Sequence, residues 1–363
     1  MSAIEKTLEI YESARGQIKK AEERQLAAWK GKTDDLPLLL TANPPRQQKG
    51  LLPERNLMEI YHDSNKMLEY GLREALRSVA GGADAVPSVR ANMGCSVFPA
   101  IMGVKPLLFE DKMPWVKEHL TREQITALEP GQITPDSDFK LGLEHIHYMA
   151  RKLENSPVRI FPLDLQGPYD MAHIVYGDAI FYDMYDDPAF VHHLMDLCTQ
   201  AIIWGMEQCL AAIPGSNEMV AHYSAVVIPR SMGGIKISED TSTLLSPGAI
   251  DEFVVPYTSR ILEHFGGGYI HYCGKNDYLF KAMLGIKHSI GINFGNPDMH
   301  DMNEILSAIA DAGKIYYGTI NKLEGETEAD YFTRVKTASR GKLLLSYNIG
   351  EKDPEAALRN WRG

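Results

Sequence analysis

The chain has 363 residues, 44% hydrophobic and 23% charged, enough for a sizeable core in two domains or one large barrel. Its 37 basic and 48 acidic residues leave a net charge of −11, which argues against nucleic acid or an anionic membrane surface as a partner. No apolar run approaches about 18 residues and no charged leader precedes an apolar core, so neither a membrane span nor a signal peptide is expected. The four cysteines (Cys95, Cys198, Cys209, Cys273) are scattered, which fits free thiols in a reduced, cytoplasmic setting.

From Ser2 to about Lys30 the pattern predicts a helix. Ser2 with Glu5 forms a capping box, and Ile4, Leu8, Ile10 and Tyr11 make an apolar stripe. We read residues 1–35 as a helical extension and 36–363 as one domain. Leu36-Pro37-Leu38-Leu39-Leu40 reads as a first buried strand, followed by a loop over Pro44 to Gly50. Further strands are predicted at Val86–Ala91, Val158–Leu163, Gly234–Ser238, Tyr269–Cys273, Ser289–Phe294, Lys314–Gly318 and Lys342–Tyr347. Helical patterns lie between them, among them Pro188–Ile213, Ser246–Phe265, Met299–Ala312 and Glu326–Ser339. Strand–helix alternation implies an α/β fold with parallel strands, and eight repeats favour a (β/α)8 TIM barrel over an open doubly wound sheet. No Gly-x-Gly-x-x-Gly follows any strand, which argues against a dinucleotide site.

In such a barrel chemistry sits at the carboxyl ends of the strands. Those ends carry Asn43, Asn92, Asp164 with Gln166, Glu239 with Asp240, His271 with Cys273, Asn293 with Asn296, Thr319 with Asn321, and Ser346 with Asn348. Asn, Asp and Ser are also ordinary cap and turn residues, and about half of these are expected to serve so. His271 and Cys273 stand two apart on a strand, so they project to one face and could share a zinc ion. Taken alone, the pair favours the plainer reading of a core cysteine beside a backbone-bonded histidine, because structural zinc sites show four spaced ligands. A third ligand would have to come from another strand end, since no cysteine follows Cys273.

Other histidines and cysteines carry less. Leu143-Glu144-His145-Ile146-His147 reads as the solvated face of a helix, and His192-His193 are adjacent on a helix and cannot converge on a metal. Cys198 and Cys209 fall on an apolar helical stretch and read as core, and the 16 methionines read as gap fillers.

Seven further segments stand out: Leu165-Gln166-Gly167-Pro168-Tyr169-Asp170-Met171, Tyr185-Asp186-Asp187-Pro188, Ile237-Ser238-Glu239-Asp240, Leu245-Ser246-Pro247, Phe253-Val254-Val255-Pro256-Tyr257, His271-Tyr272-Cys273-Gly274 and Phe294-Gly295-Asn296-Pro297. Together they resemble the uroporphyrinogen decarboxylase superfamily, which also contains the cobalamin-dependent methyltransferases. The resemblance covers roughly residues 85–363 and implies the same (β/α)8 barrel. The decarboxylase branch carries over poorly. Of its amino-terminal Arg-Gln-Ala-Gly-Arg signature only the Arg46-Gln47 pair remains, its aspartate after the second strand falls in Arg90-Ala91-Asn92-Met93, and its tyrosine and late histidine fall near Ile174 and Ile349. The methyltransferase branch binds zinc through a His-x-Cys pair on the fifth strand, matched by His271 and Cys273, and through a late cysteine. Here that late position offers Ser346-Tyr347-Asn348 and Glu351 instead.

The resemblance therefore implies a zinc-dependent methyltransferase that moves a methyl group between a small molecule or thiol and cobalamin. No corrinoid-binding Asp-x-His-x-x-Gly is present, so the cobalamin would be free or on a partner corrinoid protein. Glu239 is the first choice of third zinc ligand, with Asp240 and Glu351 behind it. Asp164, Asp240 and Asn348 are the candidate catalytic residues, and Asn92, Gln166, Tyr169 and Asn296 the candidate substrate contacts. The alternative is a metal-independent decarboxylase or lyase on a small carboxylate, with Asp164 or Asp240 as acid–base group. A third possibility is a non-catalytic partner of a corrinoid protein.

Overall fold

The structure, a computed structural model, describes residues 1–33, 35–129 and 137–363. Eight short parallel strands carry the fold: β1 (Leu38–Thr41), β2 (Ser88–Val89), β3 (Arg159–Ile160), β4 (Ile235–Ser238), β5 (Gly268–Tyr272), β6 (Ser289–Phe294), β7 (Ile315–Gly318) and β8 (Leu343–Asn348). Six of them form one sheet in the order β1-β8-β7-β6-β5-β4, and β2 pairs with β3. Each strand from β4 to β8 thus lies beside its successor, and the last returns to the first, with Leu38 opposite Leu345. A simple open doubly wound sheet does not place its first and last strands side by side. The hydrogen-bonded ladder is not continuous through the eight strands. Between β3 and β4 the Gly167 amide donates to the Ser238 carbonyl at 2.6 Å just beyond the strands, and β1 and β2 are not paired.

Both faces of the sheet are buried, as parallel strands require. Strand alternation sorts the side chains into two cores. Leu38, Leu40, Ile235, Ile237, Ile270, Tyr272, Ile292 and Phe294 pack outward against the helices. Leu39, Tyr269, Ile315, Tyr317 and Leu344 fill the inner face at its base. Expected strand lengths were right for β4 to β8 within two residues; β2 and β3 keep only two paired residues each of the six predicted.

The predicted leading helix is two helices, α1 (Ala3–Ser13) and α2 (Arg15–Trp29), broken at Ala14; the Ser2–Glu5 capping box is present. These helices close the inner base. Trp29 stacks on Tyr269 of β5 with ring centres 6.4 Å apart and donates from Nε1 to the Val227 carbonyl at 2.8 Å. An antiparallel hairpin of Met219–His222 and Val226–Pro229, absent from the sequence reading, completes this plug. Buried Gln25 ties helix and hairpin together through the carbonyls of Asp84 and Ala225 and the Val227 amide.

Helix α3 (Ser64–Gly81) lies against β1 and β2. His145, read as solvated, is instead fully buried: it bonds the Ser64 hydroxyl at 2.8 Å and the Tyr61 carbonyl at 2.9 Å. Cys198 and Cys209 are core residues, as expected. Among the described residues, no helix is long and apolar enough to cross a membrane.

Candidate metal centre

Strand parity builds the site. On β5 the outward residues are Ile270 and Tyr272, so Tyr269, His271 and Cys273 face inward. On β4 the outward residues are Ile235 and Ile237, so Lys236, Ser238 and Asp240 share the inner side and Glu239 does not. Asp240, His271 and Cys273 accordingly converge, with one ligand atom of each within 4.8 Å of the others. The Cys273 Sγ lies 3.6 Å from His271 Nε2, and Asp240 Oδ1 lies 3.7 Å from the same nitrogen. Ligand bonds of about 2.3 Å to sulfur and 2.05 Å to nitrogen at a tetrahedral angle put the two ligand atoms about 3.6 Å apart. The spacing of the pair fits a zinc ion.

Neighbouring groups set the tautomer and protonation of these side chains. The Asn293 Nδ2 donates to the Tyr317 carbonyl at 2.6 Å, so its Oδ1 is the acceptor that faces His271 Nδ1 at 2.5 Å. The proton is thereby fixed on Nδ1 and the lone pair of Nε2 is turned to Cys273 and Asp240. Burial, with the nearby Lys236 charge, holds His271 below the ordinary histidine pKa and so neutral, as a ligand must be. Burial and the Asp240 carboxylate push the Cys273 thiol up to about 11, so a cation is needed to make it a thiolate at neutral pH. Gly295 leaves room for the sulfur: a Cβ there would lie 2.4 Å from Cys273 Sγ.

The Asp240 turn is fastened at both ends. Its Oδ1 accepts the Cys273 amide at 2.6 Å. Its own amide and that of Thr241 donate to the buried Asp170 carboxylate, both at 2.7 Å. Burial and the charges of Glu239 and Asp240 raise the Asp170 pKa well above its ordinary value.

The expected third ligand, Glu239, is absent from the cluster. It is fully buried on the outward side, where Ser242 and Thr258 donate to its two oxygens at 2.8 and 2.7 Å, and burial raises its pKa to about 7. The position that supplies the carboxylate is the next one, Asp240. Tyr169 also departs from expectation: it is fully buried, packs on Phe181 and places its hydroxyl against Met184 Sδ at 3.4 Å. Asn296 accepts the Gly274 amide at 2.9 Å and fixes the turn after Cys273. Gln166 is buried in the loop after β3.

Asp164 lies between Arg90 at 3.2 Å and Lys236 at 3.7 Å. Burial raises its pKa, but the nearby charges, Arg90 first and then Lys236, outweigh this and hold it below the usual carboxylate value. Asn92 accepts from Arg90 at 2.8 Å. Asn92 and Asn348 both line a cavity of about 480 Å3 beside β1, β2 and β8, which His271, Cys273 and Asp240 do not line. Sequence reasoning missed the roles of Asn293, Asp170, Lys236 and Arg90.

No family model matches the chain, and no curated relative matches it either. A solved structure of a methyltransferase from Methanosarcina mazei superposes with a TM-score of 0.64, over 94% of this chain and 97% of that one, at 16% identity. At that identity the likeness establishes a shared α/β fold.

Proposed function

We propose that the chain closes as a (β/α)8 barrel and acts as a zinc-dependent methyltransferase, moving a methyl group between a small molecule or thiol and cobalamin, free or on a corrinoid protein. The observation that carries this reading is the convergence of Asp240, His271 and Cys273 at the carboxyl ends of β4 and β5, with Asn293 setting the histidine tautomer. The likeness in fold to a methyltransferase supports it.

Asp240, His271 and Cys273 would hold the zinc ion, in a three-ligand set with a fourth position open to substrate. When bound there, zinc supplies Lewis acidity that lowers the pKa of a thiol at that position. The side chains around it orient and shield. Asn293 keeps the His271 lone pair aimed inward, Asp170 holds the Asp240 turn, and exposed Cys273 keeps the centre open to the mouth. Asp164 fixes Arg90 and Lys236 beside the centre, and Asn92 and Asn348 offer amide contacts to a bound molecule.

The lyase reading draws less support. Asp164 between two cations is a weak proton donor near neutral pH. The test is transfer from methylcobalamin to 2-mercaptoethanol, followed by the cobalamin absorbance change. Turnover in wild type that is lost in His271→Ala and Cys273→Ser supports the reading; turnover that survives both substitutions overturns it.

A further inference from the structure

The cavity of about 480 Å3 lies where β1 and β2 part, with α3 as its outer wall. It is lined by the carboxyl-end residues Thr41, Asn92, Thr319, Ser346 and Asn348 and, from the 219–229 hairpin, by Tyr223 and Ala225. Its lining mixes polar and apolar surface in nearly equal measure. Beside these hydroxyls and amides stand Tyr70, Tyr223 and Phe161, which give it aromatic surface.

Two guanidinium groups belong to this cavity. Arg90 is occupied: it bonds Asp164 and Asn92 and lies over the Phe161 ring at 5.4 Å. The carboxylate that neutralises it is shared with Lys236. Arg77 is half-buried, and no hydrogen bond or ion pair to its guanidinium is found among the described residues. Glu74, one turn earlier on α3, also lines the cavity but is exposed. Among the lining residues two cations, Arg77 and Arg90, thus meet one carboxylate, Glu74, in a chain whose overall charge is strongly negative; Asp164, which pairs with Arg90 and Lys236, does not line the cavity. A half-buried guanidinium without a partner, set among hydroxyl donors, is matched by the two oxygens of a carboxylate.

We propose that this cavity is a binding site for the carboxylate of a small organic acid, with Arg77 as its cationic anchor and the Tyr70–Phe161–Tyr223 wall against the acid's carbon skeleton. As the substrate pocket of the enzyme, it rests on the methyltransferase reading: the anchored acid would present its far end across the mouth toward Asp240, His271 and Cys273. Binding itself does not depend on that reading, because no metal ligand lines the cavity.

The experiment is calorimetric titration of the full chain with benzoate, benzamide and inorganic phosphate, in wild type and in Arg77→Gln, Arg77→Lys, Glu74→Gln and His271→Ala. We expect saturable benzoate binding and much weaker binding of neutral benzamide. Arg77→Gln is expected to weaken benzoate about tenfold or more, with Arg77→Lys between, since lysine keeps the charge and loses the fork. Glu74→Gln is expected to leave the affinity unchanged or tighten it, and His271→Ala to leave it unchanged. An unaltered melting temperature in Arg77→Gln excludes unfolding as the cause. Equal binding of benzoate and benzamide, no saturable benzoate binding, or indifference to Arg77→Gln overturns the assignment. Tighter binding of phosphate than of benzoate overturns the choice of a carboxylate. Benzoate binding that persists in protein lacking metal or methyl transfer keeps the cavity assignment while the methyltransferase reading falls.

Discussion

The Asn293 side-chain oxygen faces His271 Nδ1 at 2.5 Å, while its amide nitrogen is committed to the Tyr317 carbonyl at 2.6 Å. One side chain from β6 therefore fixes both the tautomer and the ring plane of a histidine on β5, where it stands as the register partner. Gly318 makes room for it: a Cβ at that position would lie 2.3 Å from Asn293 Nδ2. Asn293→Leu is expected to lower zinc affinity about 10- to 100-fold, as loss of a partner behind a ligand does. Chelator competition measures this, and Asn293→Asp, which keeps an acceptor toward Nδ1, should lose less.

Gly295→Ala places a methyl group in the space of the Cys273 sulfur. Its φ is not in the left-handed region, so the effect is steric. We expect loss of metal binding with a stability cost of about 1–3 kcal/mol, the usual range for overpacking. Metal titration and thermal unfolding of the same preparation separate the two effects.

Metal binding must take the proton from Cys273, whose thiol is pushed up to about 11. His271 is already neutral near pH 7 and contributes none. About one proton per zinc should therefore be released between about pH 7 and 9, and affinity should rise about tenfold per pH unit over that range. Calorimetry in buffers of different ionisation enthalpy counts the protons. In Cys273→Ser the residual binding should lose this slope.

Glu239 is a buried acid whose folded pKa, about 7, lies above the ordinary carboxyl value. The native state then holds more protons than the unfolded state between about pH 4.5 and 7, so this group lowers stability as pH rises through that window. The ordinary value of 4.5 and the shifted value near 7 together set an upper bound of about 3 kcal/mol. Denaturant unfolding of chelated protein at pH 5 and pH 8 should show the decline, and Glu239→Gln, which keeps polar partners for Ser242 and Thr258, should flatten it.

Much of this was legible in the chain. His271 and Cys273 are two apart and alternate with Ile270 and Tyr272, and that alternation places them together on the inner face. The same parity was available on β4. Ile235 and Ile237 mark the outward face, which sends Glu239 to the helices and Asp240 to the mouth. Choosing Glu239 weighed strand order above side-chain direction. Tyr169 failed for a related reason: it sits early in Pro168–Tyr176, on a face sealed by Phe181 and Met184 from the following segment. The two-residue ladders of β2 and β3 and the 219–229 hairpin depend on how α2 plugs the base, through Gln25 and Trp29. Local pattern carries no record of contacts so distant in sequence, such as Trp29 with Val227.

The most direct test of the account is zinc content, by elemental analysis of untagged protein beside Asp240→Asn, His271→Ala, Cys273→Ser and Glu239→Gln. The account predicts about one zinc per chain in wild type and in Glu239→Gln, and loss of zinc in the other three. Well-folded wild-type protein without zinc under metal-replete conditions, or zinc that survives loss of His271 and Cys273, would contradict it.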